Sequence, residues 1–135
     1  MARPAPVRSG RSAACPCGLT EPYEECCGAV HAGRRTATTA EELMRSRYSA
    51  YVVRDADYLL RSWAPVTRPR SVEFDEDLVW TGLEILGRTG GSAFHTEGTV
   101  EFRASCVLDG QPGVLREDSR FVRGADGGWL YERAR

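Results

Sequence analysis

The stretch AFHTEGTVEFRASCVL, residues 93–108, alternates in polarity along most of its length. Phe94, Val100, Phe102, Ala104, Cys106 and Leu108 share one parity, and His95, Glu97, Glu101 and Arg103 share the other. Successive side chains of a strand point to opposite faces, so the pattern predicts a strand with one buried face and one wet face. Gly98 interrupts it and predicts a bend. Cys106, on the apolar parity, reads as a small buried hydrophobe. His95, Glu97 and Arg103 read as a solvated face.

Turn signals flank this strand and repeat downstream. LVWTGLEILGR (78–88) precedes it and ends at Gly90-Gly91. Asp109-Gly110 follows, then GVLREDSRFVR (113–123), the turn ADGG and a closing WLYERA. Successive hairpin turns between such runs predict an antiparallel meander. VEFDED, just before, reads as a short helical turn or an entry strand.

Upstream of residue 72 the period changes. Thr39 with Glu42 three residues on is the signature of a capping box. In EELMRSRYSAYVVRD, residues Leu43, Tyr48, Tyr51 and Val52 fall near one helical face, with Arg45 and Arg54 away from it. This predicts a helix over 40–54. Asp55 caps a second, over 56–63, which Pro65 stops. Helices followed by a curved antiparallel sheet make an α+β arrangement; an NTF2-like cone has this layout, and spacing alone does not separate it from other α+β folds.

CPCGLTEPYEECC (15–27) holds four of the five cysteines of the chain. The spacing is not C-x-x-C, the usual pattern of a thiol–disulfide active site. Neighbouring cysteines such as Cys26 and Cys27 make poor disulfide partners. Zinc fits the set better, because thiolates with a nearby imidazole form its tetrahedral structural sites. The segment has almost no apolar residues, so the metal has to supply its folding free energy. Cys15, Cys17 and Cys26 are three expected ligands, and the fourth is either Cys27 or His31. Arg11, Arg34 and Arg35 can offset the negative charge of the thiolates. Tyr23 can form a lid.

CPCG, the eight-residue gap and CC followed by Gly resemble the SEC-C motif, a short zinc-binding module. That resemblance implies ligation by Cys15, Cys17, Cys26 and Cys27, the last position being Cys or His. Three further stretches, MRSRYSAYVVRDADYLLRSWAP (44–65), FHTEGTVEFRA (94–104) and REDSRFVR with GGWLY (116–131), resemble the YchJ family. In that family a SEC-C motif precedes an NTF2-like domain. The resemblance spans about residues 14 to 133 and implies a fold and a metal, not an activity. The expected organisation is an Arg/Pro-rich disordered tail over 1–13, a zinc module over 14–33, a linker over 34–39 with little to pack, and an NTF2-like domain over 40–135.

The chain has 135 residues, 41% of them apolar, which suits one core with a small appendage. All 18 basic residues are arginine, a bias expected of a GC-rich bacterial genome. The net charge of −1 gives no overall electrostatic pull toward polyanions. A nucleic-acid or ribosome-associated role would rest on Arg3, Arg8, Arg11, Arg34 and Arg35, opposed by Glu21, Glu24 and Glu25, and ranks low. No secretory h-region or membrane-length apolar run is present, so the expected location is the cytoplasm, where thiols stay reduced.

No P-loop, G-x-G-x-x-G or nucleophile elbow occurs, so no catalytic residue and no nucleotide cofactor is assigned. Asp57, His95, Glu97, Glu117 and Asp118 are the carboxylates and histidine that a cone pocket can use for proton transfer. Tyr48, Tyr51, Trp63 and Trp80 belong to a core or line that pocket. The arginines of MRSR, Arg45 and Arg47, are candidates to pair with Glu117. The expected function is binding, with one structural zinc and a protein partner reached through the zinc module. The alternative is a cone that binds a small molecule or acts on one. Composition does not choose between monomer and dimer.

Overall fold

The computed structural model describes residues 14–135, so the tail expected over 1–13 lies outside the described residues. Three helices lead into the sheet: α1 (Cys27–His31), α2 (Ala40–Val53) and α3 (Ala56–Arg61). The sheet follows as β1 (Leu78–Gly90), β2 (Glu97–Leu108), β3 (Gln111–Arg123) and β4 (Trp129–Ala134), all antiparallel in the order β1-β2-β3-β4. This is the expected α+β meander. Residues 72–77 are neither helix nor strand. No helix among the described residues is long and apolar enough to cross a membrane.

The Thr39 side chain accepts the Glu42 N–H, as a capping box requires, but the Glu42 carboxylate returns to the N–H of Thr38 rather than Thr39. Arg54 ends the helix in the left-handed region, and Asp55 then caps α3 by accepting from the Tyr58 N–H. α3 stops at Arg61, short of the expected Trp63, because residues 62–64 pair with the sheet. Tyr131 N–H donates to the Ser62 carbonyl, and Ala64 N–H donates to the Tyr131 carbonyl.

α2 is buried on more than one side. Met44 and Tyr48 join Val100, Phe102, Ala104, Phe121 and Trp129 in the main core. Ala50, on another face, packs with Val30, Tyr58 and Leu59. The fully buried Ser46 and Ser49 give little bulk to the sides of the helix. Ser46 Oγ satisfies its hydrogen by donating to the Leu43 carbonyl. The stretch expected to have little to pack also enters the core. Ala37 is buried there, and Trp129 Nε1 donates to the Thr38 carbonyl.

The sheet corrects three readings. β2 begins at Glu97, and residues 93–96 form the turn before it, which leaves Phe94 96% exposed and His95 in a loop. Cys106 is half-buried rather than buried. Gly98 serves close approach: a Cβ there would lie 2.4 Å from the Gly91 nitrogen. The curvature comes from bulges. β1 shifts register between Trp80 and Gly82 and again between Ile85 and Gly87, and the β3–β4 pairing shifts after Arg120. These extra residues bring Trp80, Leu83 and Ile85 onto the core although their spacing mixes parities.

Candidate metal centre

A short loop brings the cysteines together. Cys15 N–H donates to the Glu21 carbonyl, Ala14 bridges Pro22, and Gly18 turns the chain with φ +100. This returns the loop onto a 3-10 turn at Tyr23–Glu25, and α1 starts directly at Cys27. Gly28 follows because Tyr23 lies over it: a Cβ at 28 would meet the Tyr23 carbonyl at 2.6 Å and its ring at 2.8 Å.

The Sγ atoms of Cys15, Cys17, Cys26 and Cys27 lie within 4.8 Å of one another, all buried. Cys17 and Cys26 Sγ are 3.7 Å apart, well beyond a disulfide, and all five cysteines are free thiols. Tyr23 is the half-buried hydrophobic side chain packed against the cluster, in the place expected of a lid. Four soft donors converging on one point can hold a metal ion.

Hydrogen bonds from the Cys17 and Cys27 thiols push Cys15 down from the usual thiol range. Donation of its S–H to Cys15 pushes Cys27 up. Burial first, then the charge on Cys15, pushes Cys26 up to about 12. Cys26 and Cys27 thus hold their protons tightly, and a cation at the centre would supply what ionising them needs.

His31 stands apart from this group and acts as a brace. Its Nε2 lies 2.8 Å from the Ser46 carbonyl, which can only accept, so Nε2 carries the proton. Its Nδ1 therefore accepts from the Tyr23 hydroxyl, also at 2.8 Å. Both ring nitrogens are occupied. Burial lowers the His31 pKa, keeping the ring neutral, and burial raises Tyr23 to about 12, keeping its proton available.

The partners of the site outside the cysteine loop come from α2 and α3. Ser49 Oγ lies 3.6 Å from Cys15 Sγ, and Arg45 Nη1 donates to the Cys17 carbonyl. Arg61 donates to the His31 carbonyl. Arg34, expected to offset thiolate charge, donates instead to the Glu24 carbonyl, and Arg35 is exposed. Arg11 lies outside the described residues. The sequence did carry a signal for Arg45 and Ser49: they are four apart on α2, on the side away from Leu43.

The proton-transfer candidates scatter. Asp57 pairs with Arg61, Glu97 with Arg120, and Asp118 with Arg135, while His95 accepts from Ser92 in its exposed turn. Arg103 pairs with Glu84 on the open sheet face. Glu117 alone among them lines a cavity of about 230 Å³ between α2 and the sheet, with Tyr48, Tyr51, Trp63 and Trp80 around it. Neither MRSR arginine makes an ion pair with Glu117. Arg45 pairs with Glu41, and Arg47 donates to the Leu59 carbonyl and Ser62 Oγ.

A four-cysteine module packed on a helix-and-meander cone defines the class: a SEC-C motif joined to an NTF2-like domain. The family model described as YchJ, middle NTF2-like domain, matches residues 39–134. A UPF0225 protein of Streptomyces avermitilis is 56% identical over 126 residues, covering 93% of this chain and 86% of its own. One from Deinococcus radiodurans is 46% identical, covering 87% and 85%. The solution structure of a SEC-C motif containing protein from Rhodopseudomonas palustris superposes with a TM-score of 0.77 at 32% identity, over 90% of this chain and 97% of that one. A crystal structure of a SEC-C motif containing protein from Psychrobacter arcticus gives 0.71 at 26% identity, over 88% and 80%. The chain belongs to the YchJ family, also designated UPF0225.

Proposed function

We propose that Cys15, Cys17, Cys26 and Cys27 hold one structural zinc ion, and that the protein is a cytoplasmic binding protein whose zinc module contacts a protein partner. The carrying observation is the sulfur geometry. Tetrahedral zinc with sulfurs at about 2.3 Å sets those sulfurs about 3.8 Å apart. The Cys17–Cys26 separation of 3.7 Å fits that spacing, and all four sulfurs converge within 4.8 Å. With four protein ligands the ion has no open position for a catalytic water, so its part is structural. Reduced thiols of this kind persist in the cytosol.

Around the ion the loop turns an exposed edge outward at Gly18 to Glu21, including the 41% exposed Leu19. That edge is the proposed contact. A protein suits it better than a nucleic acid, because many of the described arginines are already paired with carboxylates, as in Arg88–Glu41 and Arg116–Glu101. The test is metal content on protein purified without added zinc. About one zinc per chain, lost in Cys27→Ser and kept in His31→Ala, is the expected result. Retention in Cys27→Ser with loss in His31→Ala would move the fourth ligand to His31.

A further inference from the structure

The cavity between α2 and the concave face of the sheet holds two opposite charges that the fold does not use up. Arg47 is 4% exposed and sits at the cavity wall. Its guanidinium lies 4.8 Å from the Trp63 ring centroid and 4.6 Å from that of Tyr131. Both of its hydrogen bonds leave from Nη1, to the Leu59 carbonyl and Ser62 Oγ. Nε and Nη2 have no hydrogen-bond partner among the described residues. A buried guanidinium with unmet donors is costly, because each was hydrated before folding.

Glu117 lines the same cavity from β3. Its Oε2 accepts from Ser119 Oγ at 2.6 Å and from the Tyr131 hydroxyl at 3.2 Å. Its Oε1 has no partner among the described residues. No ion pair joins Glu117 to Arg47 within the described residues. Much of the remaining wall is apolar or aromatic, including Met44, Tyr51, Trp80 and Phe102. The volume of about 230 Å³ lies below the roughly 300–1,000 Å³ of drug-sized sites and suits a molecule of one ring.

We propose that this cavity is a binding site for a small, net-neutral molecule with an amide-like head on a one-ring apolar body, its acceptor meeting Arg47 and its donor meeting Glu117. One positive and one negative wall group make the empty site neutral. A ligand with a carboxylate would satisfy Arg47 but face Glu117, and a cation would do the reverse. A ligand with both a donor and an acceptor meets each group and adds no net charge to a place where uncompensated charge is costly. The aromatic walls supply stacking surface for the body. This site is separate from the metal centre and does not depend on its reading.

The experiment uses the full chain as purified and three probes of one shape: benzamide, benzoate and benzamidine. Binding is read by NMR from the indole N–H signals of Trp63 and Trp80. Benzamide is expected to shift both signals and to bind about tenfold or more tighter than either charged probe, the ratio for one unmet charged hydrogen bond. Glu117→Gln keeps an acceptor for Ser119 and Tyr131 while leaving the site net positive, so the order should turn toward benzoate. Arg47→Met, a swap that keeps apolar length, should turn it toward benzamidine. If Arg47→Met does not fold, Glu117→Gln decides alone. Unmoved indole signals with all three probes, tighter binding of benzoate to the parent chain, or an order unchanged in Glu117→Gln would overturn the assignment.

Discussion

Arg45 Nη1 donates to the carbonyl of Cys17 across 2.6 Å, tying α2 to the loop that carries the first two cysteines. Its Nε is held at the same time by Glu41, one turn earlier. The side chain is 16% exposed, so the bond is partly shielded from water. The loop thus has an anchor that does not involve the cysteine sulfurs.

Arg45→Ala should therefore loosen the module without removing a ligand. Loss of a charge-assisted bond to a carbonyl is expected to cost about 2 kcal/mol. Zinc per chain should stay at one, while competition with a chelator should release it faster. Unchanged release kinetics would mean that the Arg45–Cys17 bond does not hold the loop.

His31 makes a second prediction, with a pH sign. Burial depresses its folded-state pKa below the ordinary 6.5, so the folded protein holds it neutral. Above pH 6.5 its contribution is fully present; as pH falls below that, the unfolded chain takes up a proton that the folded chain refuses. Stability should then fall with acid more steeply in the parent chain than in His31→Gln, both compared with metal bound. Urea unfolding at pH 7 and at about pH 5.5 measures the difference. At neutral pH His31→Ala should itself cost about 1–3 kcal/mol, since it leaves the Tyr23 hydroxyl without its acceptor and removes the second hydrogen bond to the Ser46 carbonyl, which keeps its helical one.

Gly28 is the steric test of the module. In Gly28→Ala the new Cβ would meet the Tyr23 carbonyl at 2.6 Å, and a backbone atom cannot swing aside. A loss of about 1–3 kcal/mol is expected from such overpacking. Gly82→Ala places its Cβ in open space and should be close to neutral. Thermal unfolding of the two variants side by side separates the steric effect from the general cost of changing a glycine.

Removal of the proposed zinc should unfold the cysteine loop and spare the meander. The cysteine cluster packs against Tyr23 alone among half-buried hydrophobics, whereas the sheet core joins α2, β2, β3 and β4 through large side chains. Chelator treatment should collapse the amide dispersion of residues 14–26 and leave that of β2 and β3 in place, while Val30 of α1 keeps its packing on Ala50, Tyr58 and Leu59. Loss of both together would show that the module and the cone fold as one unit.

Much of this architecture was legible in the sequence. Alternation in residues 97–108 and the turns at Gly90-Gly91, Asp109-Gly110 and ADGG carry the meander, and Thr39 and Asp55 mark the helix starts. Three things were hidden for physical reasons. Bulges in β1 break parity, so LVWTGLEILGR does not show which residues face inward. α2 is covered on two sides, so one-face periodicity underrates Ser46, Ser49 and Ala50. Arginine reads as surface, and nothing in MRSR marks Arg47 as the guanidinium buried between Trp63 and Tyr131. At the metal centre the residue types were plain, but spacing alone left Cys27 and His31 as equals. In the fold the four sulfurs converge, while both His31 nitrogens are hydrogen-bonded elsewhere.

Zinc-edge X-ray absorption on protein purified without added metal tests the four-cysteine zinc site itself. A shell of four sulfurs at about 2.3 Å and no imidazole nitrogen is the predicted result. Three sulfurs with one nitrogen, or a chain with no bound metal and four free thiols, would contradict the four-cysteine zinc site.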